Sequence, residues 1–420
     1  MSGGKTKAVT PRLRFPEFRH AGPWEVKRLG EVSEILDNMR KPVTSTKRKP
    51  GPYPYYGASG AIDYIDEYIF DERLLLIGED GAKWGPFEKT AFIVEGKYWV
   101  NNHAHVLRPV TINDVLLENY LNATDVSVYV TGAAPPKLTL DNLKSIRIPV
   151  PLVQEEQKKI ANCLSSLDDL ICAEASRLEA LQAHKKGLMQ QLFPREGETN
   201  PRLRFPEFRD AGPWEVKRLG EVYRFKPTNS LSRDRLNYDS GSIKNVHYGD
   251  IHKGLGIAFR ISDEIVPYVN DDVAGTIRED CFCQEGDIIF ADASEDVDDI
   301  GKAIEIVETG GQRLVAGLHT ILASQLDSKI IVGFGAYLFA SRVIRKQIQH
   351  RAQGAKVLGI SKSQIAEVAI GYPRHKREQQ KIADCLSSLD DLIRVQGERI
   401  ETLKQHKKGL MQQLFPQEIA

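Results

Sequence analysis

Basic, amide and aromatic side chains cluster in two stretches of this 420-residue sequence. The first, RKPVTSTKRK at 40–49, carries five positive charges without an acid, and three tyrosines follow it. The second, KNVHYGDIHK at 244–253, places amide, imidazole, phenol and ammonium groups in one strand-and-turn unit. Such groups hydrogen-bond to base edges and phosphates. The candidate contact residues are Lys47, Arg48, Lys49, Tyr55, Tyr56, Lys83, Trp84, Asn101, Asn102, His103, Lys137, Lys244, Asn245, His247, Tyr248, Lys253 and Lys356.

Motifs for catalysis are missing from the sequence. No GxxxxGK[ST] phosphate loop occurs, which excludes that form of ATP hydrolysis. HAH at 103–105 lacks third and fourth metal ligands at a fitting spacing, and CFC at 281–283 is more typical of packing than of zinc ligation. APPK at 134–137 lacks both ends of the adenine methyltransferase motif. We therefore assign no catalytic residue, no metal ligand and no cofactor to this chain.

Composition limits the class of protein. The 57 basic and 57 acidic residues give a formal net charge of zero, which weighs against a chain that grips nucleic acid by bulk electrostatics alone. The five cysteines form no CxxC pair, which is typical of reduced thiols. No run of 18 apolar residues and no secretory signal occurs, so we expect a cytoplasmic protein of a bacterium or archaeon without a membrane span.

A long internal repeat organises the chain. The head at 11–32 returns at 201–222 with a single difference, and the 39-residue tail at 156–194 returns at 378–416 with 11 differences. The bodies between them, about 33–148 and 223–372, show no similarity to each other. Nearly identical flanks around different bodies indicate two readers on a common frame. Each contact cluster alone is more typical of a solvated loop than of a contact surface, and only this architecture favours the contact interpretation.

Both bodies alternate short strand-like runs with glycine-rich turns and end in a helix-like stretch. The runs include YPYYGASGAIDYI and HAHVLRPV in the first body and EGDIIFADASED and GLHTILA in the second. The helix-like stretches are NDVLLENYLNA and GFGAYLFASRVIRKQIQ. This pattern predicts an α+β fold for each body.

The tails predict two long helices, because apolar residues recur at alternating spacings of four and three over more than four heptads. In-register parallel pairing would oppose Lys185 and Lys407, so we expect an antiparallel coiled coil with a pseudo-two-fold axis. The alternative is that each helix packs on its own domain. The apolar seam residues are Ile160, Leu164, Leu167, Ile171, Leu178, Leu181, Leu188, Ile382, Leu386, Leu389, Ile393, Ile400, Leu403 and Leu410.

The sequence resembles the specificity (S) subunits of type I restriction-modification systems over essentially its whole length. The resemblance lies in the RFPEFRxAGPWEVKRLGEV heads, in YYGASGAIDY, LIGEDGAKWG and NNHAHVLRP, and in TGAAPPKLTLDNLKSIRIPVPLVQEEQKKIA. In the second body it lies in QGAKVLGISKSQIAEVAIGYPRHKREQQKIA. The resemblance implies a first target-recognition domain at 1–150, a spacer helix at 151–194, a linker at 195–203, a second domain at 204–373 and a second helix at 374–416.

The same resemblance implies the function and the partners. Each domain would read one half of a bipartite sequence in double-stranded DNA, and the helices would hold the domains apart and dock two modification subunits. Those subunits would bring S-adenosylmethionine, and restriction subunits using ATP and Mg²⁺ would join for cleavage. Two rival classes are a stand-alone DNA-modifying enzyme, which the missing motifs disfavour, and a coiled-coil adaptor that binds only protein.

Overall fold

The structure is a computed structural model that describes residues 8–354 and 356–416. The chain forms two compact units, each with mixed helix and sheet. The first unit extends to Arg177 and takes up the chain again from Gln396, and the second comprises Leu178–Val395. Residues 1–7 of the predicted first domain lie outside the described residues.

The first unit is built on three small sheets. Their strand orders are β1-β2-β11, β3-β10-β7-β8 and β5-β4-β9-β6. Its strands are β1 (Ala8–Val9), β2 (Trp24–Arg28), β3 (Ser33–Ile35), β4 (Pro50–Gly57), β5 (Gly60–Ile65), β6 (Phe70–Asp71), β7 (Leu74–Gly78), β8 (Ala91–Val94), β9 (Lys97–Val100), β10 (Ala104–Pro109) and β11 (Arg147–Val150). Its helices are α1 (Leu29–Val32), α2 (Asp114–Ala123), α3 (Leu140–Ser145), the start of α4 (Gln154–Leu192) and the end of the last helix of the chain, at 396–414.

Strand β7 is the buried centre of the first unit, since all five of its residues are inaccessible. It pairs antiparallel with β10 on one side and with β8 on the other, and helix α2 packs on β8. The Asn122 side chain fixes this helix by bonding to both the N–H and the carbonyl of Ala91, at 2.8 and 3.0 Å. The predicted helix NDVLLENYLNA is confirmed, and Asn113 caps it by accepting from the Leu116 N–H.

The second unit is built on two larger sheets and two short strand pairs. Their strand orders are β13-β22-β18-β20-β16, β14-β17-β15-β21, β12-β24 and β19-β23. Its strands are β12 (Glu215–Arg218), β13 (Tyr223–Lys226), β14 (Leu236–Asn237), β15 (Ile243–Val246), β16 (Ala258–Arg260), β17 (Tyr268–Val269), β18 (Ile288–Ala291), β19 (Ala293–Ser294), β20 (Ala303–Glu308), β21 (Arg313–Ala316), β22 (Thr320–Gln325), β23 (Leu358–Gly359) and β24 (Ala369–Tyr372). Its helices are the end of α4, at 178–192, α5 (Tyr248–Lys253), α6 (Asp271–Ala274), α7 (Phe334–Ala340), α8 (Arg342–Arg351), α9 (Lys362–Ala366) and the start of α10 (Lys376–Leu414).

The central sheet of the second unit repeats the strand order of the first. Strands β13, β22, β18 and β20 take the places of β3, β10, β7 and β8, and β16 adds a parallel edge. The register also agrees, because Thr320 pairs with Ala291 where Ala104 pairs with Gly78. The stretch GFGAYLFASRVIRKQIQ is two helices rather than one, since Ser341 between them is extended. The two bodies thus share a core that their sequences do not reveal.

Helices α4 and α10 run antiparallel where their segments meet within each unit. In the first unit, Lys407 Nζ lies 2.6 Å from Asp168 Oδ1, and Gln396 Nε2 donates to Glu174 Oε2 at 2.6 Å. In the second unit, Lys185 pairs with Asp390. Each lysine of the seam therefore faces an aspartate. The apolar seam residues Ile160, Leu164, Leu167, Ile171, Leu178, Leu181, Leu188, Ile382, Leu386, Leu389, Ile393, Ile400, Leu403 and Leu410 are all buried or half-buried.

The structure divides the long helices differently from the predicted segments 151–194 and 374–416. Each helix contributes one part to each unit, because its two ends pack into different cores. Ile160 and Leu164 join Leu414 in the core of the first unit. Leu192 joins Ile382 in the core of the second. The helices are thus integral to both globular cores.

A membrane-spanning helix is not found among the described residues, because none combines the required length with sufficient apolar character.

Candidate nucleic-acid interface

Three chain segments meet where the central strand of the first unit ends. Glu79, directly after β7, donates its N–H to the His103 carbonyl at 2.8 Å. Its own carbonyl accepts from the Leu138 N–H at 2.8 Å. The loops before β10 and α3 are therefore fixed to the end of β7 by backbone bonds that do not depend on side-chain identity.

The second unit has the same junction. Asp292, directly after β18, donates its N–H to the His319 carbonyl at 3.0 Å, and its carbonyl accepts from the Ile360 N–H at 2.9 Å. The strand register makes Asp292 the counterpart of Glu79 and His319 the counterpart of His103. One backbone frame thus recurs in the two units, with a histidine at one matched position and a different carboxylate, Glu79 or Asp292, at the other.

Glu79 ties two cations to the junction of the first unit. Its Oε2 accepts from Arg40 Nη1 at 2.5 Å, and its Oε1 lies 2.7 Å from Lys137 Nζ. Burial raises the pKa of Glu79, but the hydrogen bonds from Lys137 and Arg40 outweigh it and hold that pKa below its ordinary value. The charged carboxylate therefore anchors the exposed loop that carries Lys137.

A buried histidine completes this network. His105 Nδ1 lies 2.6 Å from Asp37 Oδ2, and Nε2 lies 2.7 Å from the Leu138 carbonyl. Burial raises the pKa of Asp37, but the hydrogen bond with His105 and its charge lower it overall. The loop before α3 is thus held at two points: Glu79 binds the Lys137 side chain, and His105 contacts the backbone carbonyl of Leu138.

Asp37, Glu79 and His105 offer ligand atoms within 4.8 Å of one another, a spacing that a metal ion could use. The spacing of HAH did not indicate this group, because both carboxylates come from distant segments. Both ring nitrogens of His105 already face acceptors, and Glu79 is held by a guanidinium and an ammonium group. A metal ion would have to displace these partners. We therefore interpret the group as a salt-bridge network and not as a metal centre.

The structure removes three predicted contact residues from the surface of the first unit. Tyr55, Trp84 and Asn101 are 1%, 7% and 3% exposed, respectively. Trp84 donates its indole N–H to the Gly78 carbonyl at 2.9 Å, and Asn101 accepts from the His103 N–H at 2.7 Å. Trp84 and Asn101 thus support the junction from inside, whereas the Tyr55 hydroxyl accepts from the Val43 N–H at 2.9 Å. All three side chains are buried, so predicting them as surface contacts was wrong.

Two predicted contacts of the second unit are also buried. Asn245 has no exposed surface and accepts from Asn229 Nδ2 at 2.9 Å. His247 is 6% exposed and accepts from the Gly249 N–H at the start of α5. Burial lowers the pKa of His247, which favours the neutral ring that this bond needs. Both predictions fail because Asn245 lies in the inner strand β15, and His247, directly after this strand, caps α5.

The other candidates reach solvent to different degrees. Exposed residues are Lys47, Lys49, Lys83, Asn102, His103, Lys253 and Lys356, and half-buried ones are Arg48, Tyr56, Lys137, Lys244 and Tyr248. Of these, His103 and Lys137 lie at the first junction. Lys356 lies on the loop before Ile360, which bonds to the second junction. The contact role of all of them remains a prediction.

Asp80, Asp292 and His319 are junction residues that the sequence did not single out. His103 Nδ1 lies 2.5 Å from Asp80 Oδ1, and His319 Nδ1 lies 3.2 Å from Asp292 Oδ1. The His319 ring also packs edge-on against Tyr248, with 5.2 Å between centroids. The shared strand register could not be read from unlike sequences, so no pattern connected the two histidines.

Comparisons of this chain with known proteins all indicate the same family. The model of the type I restriction modification DNA specificity domain matches residues 22–183 and 212–405. The chain is 38% identical over 146 residues to a putative type I restriction enzyme specificity subunit of Haemophilus influenzae, covering 34% of this chain and 38% of that protein. It is 23% identical to the MjaVIII specificity subunit of Methanocaldococcus jannaschii, covering 96% of this chain and 93% of that protein.

Solved structures share the fold. The S subunit of a type I restriction-modification system from M. genitalium superposes with a TM-score of 0.60 at 14% identity, covering 98% of this chain and 100% of that one. A chain from a study of complex assembly and conformational transition in the type I R-M system gives a TM-score of 0.55 at 15% identity, covering 94% and 98%. At these identities the likeness concerns the fold alone.

Proposed function

The chain belongs to the family of type I restriction modification DNA specificity domains, and we propose that each of its two units reads one half of a bipartite DNA target. Specificity subunits of these systems are non-catalytic, and the catalytic activities lie on partner subunits. One observation carries the proposal. The same backbone junction occurs in both units, but the carboxylate that follows the central strand has different partners: Glu79 pairs with Arg40 and Lys137, and Asp292 pairs with His319. A constant frame with variable side chains is what two independent sequence readers require.

We further propose that α4 and α10 pair as an antiparallel coiled coil that joins the two readers. The protected heptad positions and the lysine–aspartate pairs within each unit support this pairing. The repeated helices would offer equivalent outer faces to two modification subunits. Their polar outer residues remain exposed and available for such docking.

The partner subunits would supply the chemistry. Modification subunits would bind S-adenosylmethionine and methylate adenine, and restriction subunits would use ATP and Mg²⁺. Formal net charge of zero fits a chain whose partners contribute much of the phosphate neutralisation. The isolated chain should therefore bind DNA weakly and leave it unmodified.

Exchange of one body tests the two-reader proposal. Residues 33–148 are replaced by the corresponding segment of another specificity subunit, and the variant is assembled with its modification subunits. Mapping of methylated adenines should show one new half-site and one unchanged half-site. Replacement of 223–372 is the matched reciprocal variant and should change the other half. A change in both halves, or in neither, would contradict the proposal.

A further inference from the structure

We propose that His103 and His319 are base-reading residues, each of which presents its Nε2 atom to a base edge in the half-site of its own unit. Asp80 and Asp292 act as positioning residues by holding Nδ1. The inference rests on the proposed function and adds to it the side chains and the atom that make the contact.

The surroundings of His319 set this residue apart from an ordinary surface histidine. Its side chain is 51% exposed, although Thr320, the next residue, is buried at the start of β22. Its φ of 54° lies in the left-handed region, which is uncommon for a residue other than glycine. The Asp292 carboxylate holds Nδ1 of the imidazole, and the Tyr248 ring packs against the imidazole in an edge-on arrangement. Strain at an exposed, fixed side chain is typical of functional positions.

His103 occupies the same place in the first unit with different supports. Its side chain is 50% exposed, and Nδ1 lies 2.5 Å from Asp80 Oδ1. Asn101 fixes its backbone by accepting from the His103 N–H at 2.7 Å. In the first unit the carboxylate belongs to Asp80, one residue after the junction residue Glu79. In the second unit it belongs to the junction residue Asp292 itself. Two unlike sequences therefore arrive at the same arrangement of an exposed imidazole and a carboxylate.

The hydrogen bond at Nδ1 determines what Nε2 can do. A carboxylate accepts a hydrogen bond from Nδ1–H, so in the neutral ring the proton stays on Nδ1 and Nε2 is left as an acceptor. Among the described residues, neither His103 Nε2 nor His319 Nε2 has a hydrogen-bond partner. Each unit thus presents one oriented and unused acceptor at its junction.

Base edges fit this acceptor better than phosphates do. The amino groups of adenine and cytosine in the major groove are donors, whereas phosphate oxygens only accept. The Asp80 and Asp292 carboxylates beside the rings would also repel a phosphate. We therefore assign the contact to a base that carries an exocyclic amino group.

The test uses the complex with its modification subunits and the variants His103→Ala and His319→Ala. The readouts are the map of methylated sites and equilibrium binding to duplexes substituted at each target position. Each variant should lose roughly 5- to 100-fold of discrimination at one position of one half-site, and the two variants should affect opposite halves. His20→Ala and His350→Ala, at exposed histidines away from the junctions, are the controls and should keep the original pattern.

The positioning role has its own readout. Asp292→Asn keeps an oxygen that can accept from Nδ1–H and should retain most of the discrimination, whereas Asp292→Ala should approach the His319→Ala phenotype. Uniform weakening over all duplexes, with unchanged preference, would mean a phosphate contact and would overturn the inference. Unchanged preference and unchanged affinity would overturn it as well. A wild-type complex without a bipartite pattern would instead contradict the proposed function on which the inference rests.

Discussion

Arg204 holds Glu378 by two parallel hydrogen bonds, from Nε at 2.7 Å and from Nη2 at 2.8 Å. Trp214 Nε1 donates to the same carboxylate at 3.2 Å. Glu378 is fully buried in the first turn of α10, where the helix dipole also favours a negative charge. The repeated head of the sequence therefore acts as a clamp on the start of the helix in the second unit.

The first unit contains the equivalent clamp between Arg14 and Glu156. The two hydrogen bonds measure 2.6 and 2.7 Å, and Trp24 donates to Glu156 at 3.2 Å. The near-identity of the two heads is thus explained by one set of contacts made twice.

Replacement of Arg204 by alanine should destabilise the second unit by about 3 kcal/mol, because the variant leaves a buried carboxylate without its cation. Chemical unfolding monitored by Trp214 fluorescence measures the loss. Arg209→Ala is the matched control, since Arg209 is an exposed arginine of the same head. Combining Arg204→Ala with Glu378→Gln should recover part of the stability. A loss of equal size in Arg209→Ala would show that the clamp is not the cause.

Glu174 and Gln396 form a buried polar pair between α4 and α10 within the first unit. They are 7% and 6% exposed, and Gln396 Nε2 donates to the Glu174 carbonyl at 2.9 Å and to its carboxylate at 2.6 Å. Gln396→Leu should cost about 2 kcal/mol, since the carboxylate loses a buried donor. Glu174→Leu with Gln396→Leu should restore stability. A double-mutant cycle by urea unfolding measures the coupling, and additive effects would contradict it.

The network around Glu79 predicts that the difference in stability between the wild-type protein and Glu79→Gln depends on pH. The pKa of Glu79 is lowered in the folded state, so its contribution is present above the unfolded value of 4.5 and is lost as pH falls through the folded value. Glu79→Gln places an amide N–H₂ against Arg40 or Lys137 and should cost about 2 kcal/mol at pH 7. The difference from wild type should shrink below about pH 4. Thermal unfolding at pH 3 to 7 measures this, and a constant difference would contradict it.

The helices could be predicted because a heptad pattern is local, and residues such as Leu164 and Leu386 report it directly. The junctions could not be predicted, because Glu79 and Asp292 meet their partners through strand pairing between distant segments. Asn245 and His247 were misassigned since alternation along KNVHYG does not mark which positions face inward. His319 has a left-handed backbone conformation. No sequence pattern indicates this conformation at a residue other than glycine, so it could not be predicted.

Glu305 on β20 is fully buried, and its Oε2 accepts from the N–H groups of Gly333 and Ala336 at 2.9 and 2.8 Å. Its Oε1 has no partner among the described residues, and no cation there is paired with it. Burial raises the pKa of Glu305 to about 7, while the two backbone bonds lower it. The folded protein thus keeps a proton on Glu305 that the unfolded chain releases near pH 4.5.

The contribution of protonated Glu305 to the free energy of unfolding is therefore fully present below about pH 4.5 and is lost as pH rises through about 7. Glu305→Gln cannot ionise and should be more stable than wild type by up to about 3 kcal/mol at pH 8. The advantage should decline steadily toward pH 5. Urea unfolding of both proteins from pH 5 to 8 measures this difference. Glu308→Gln, at a half-exposed glutamate of the same strand, should show no comparable trend. A Glu305→Gln protein that is less stable than wild type at pH 8 would mean that the carboxylate has a stabilising partner.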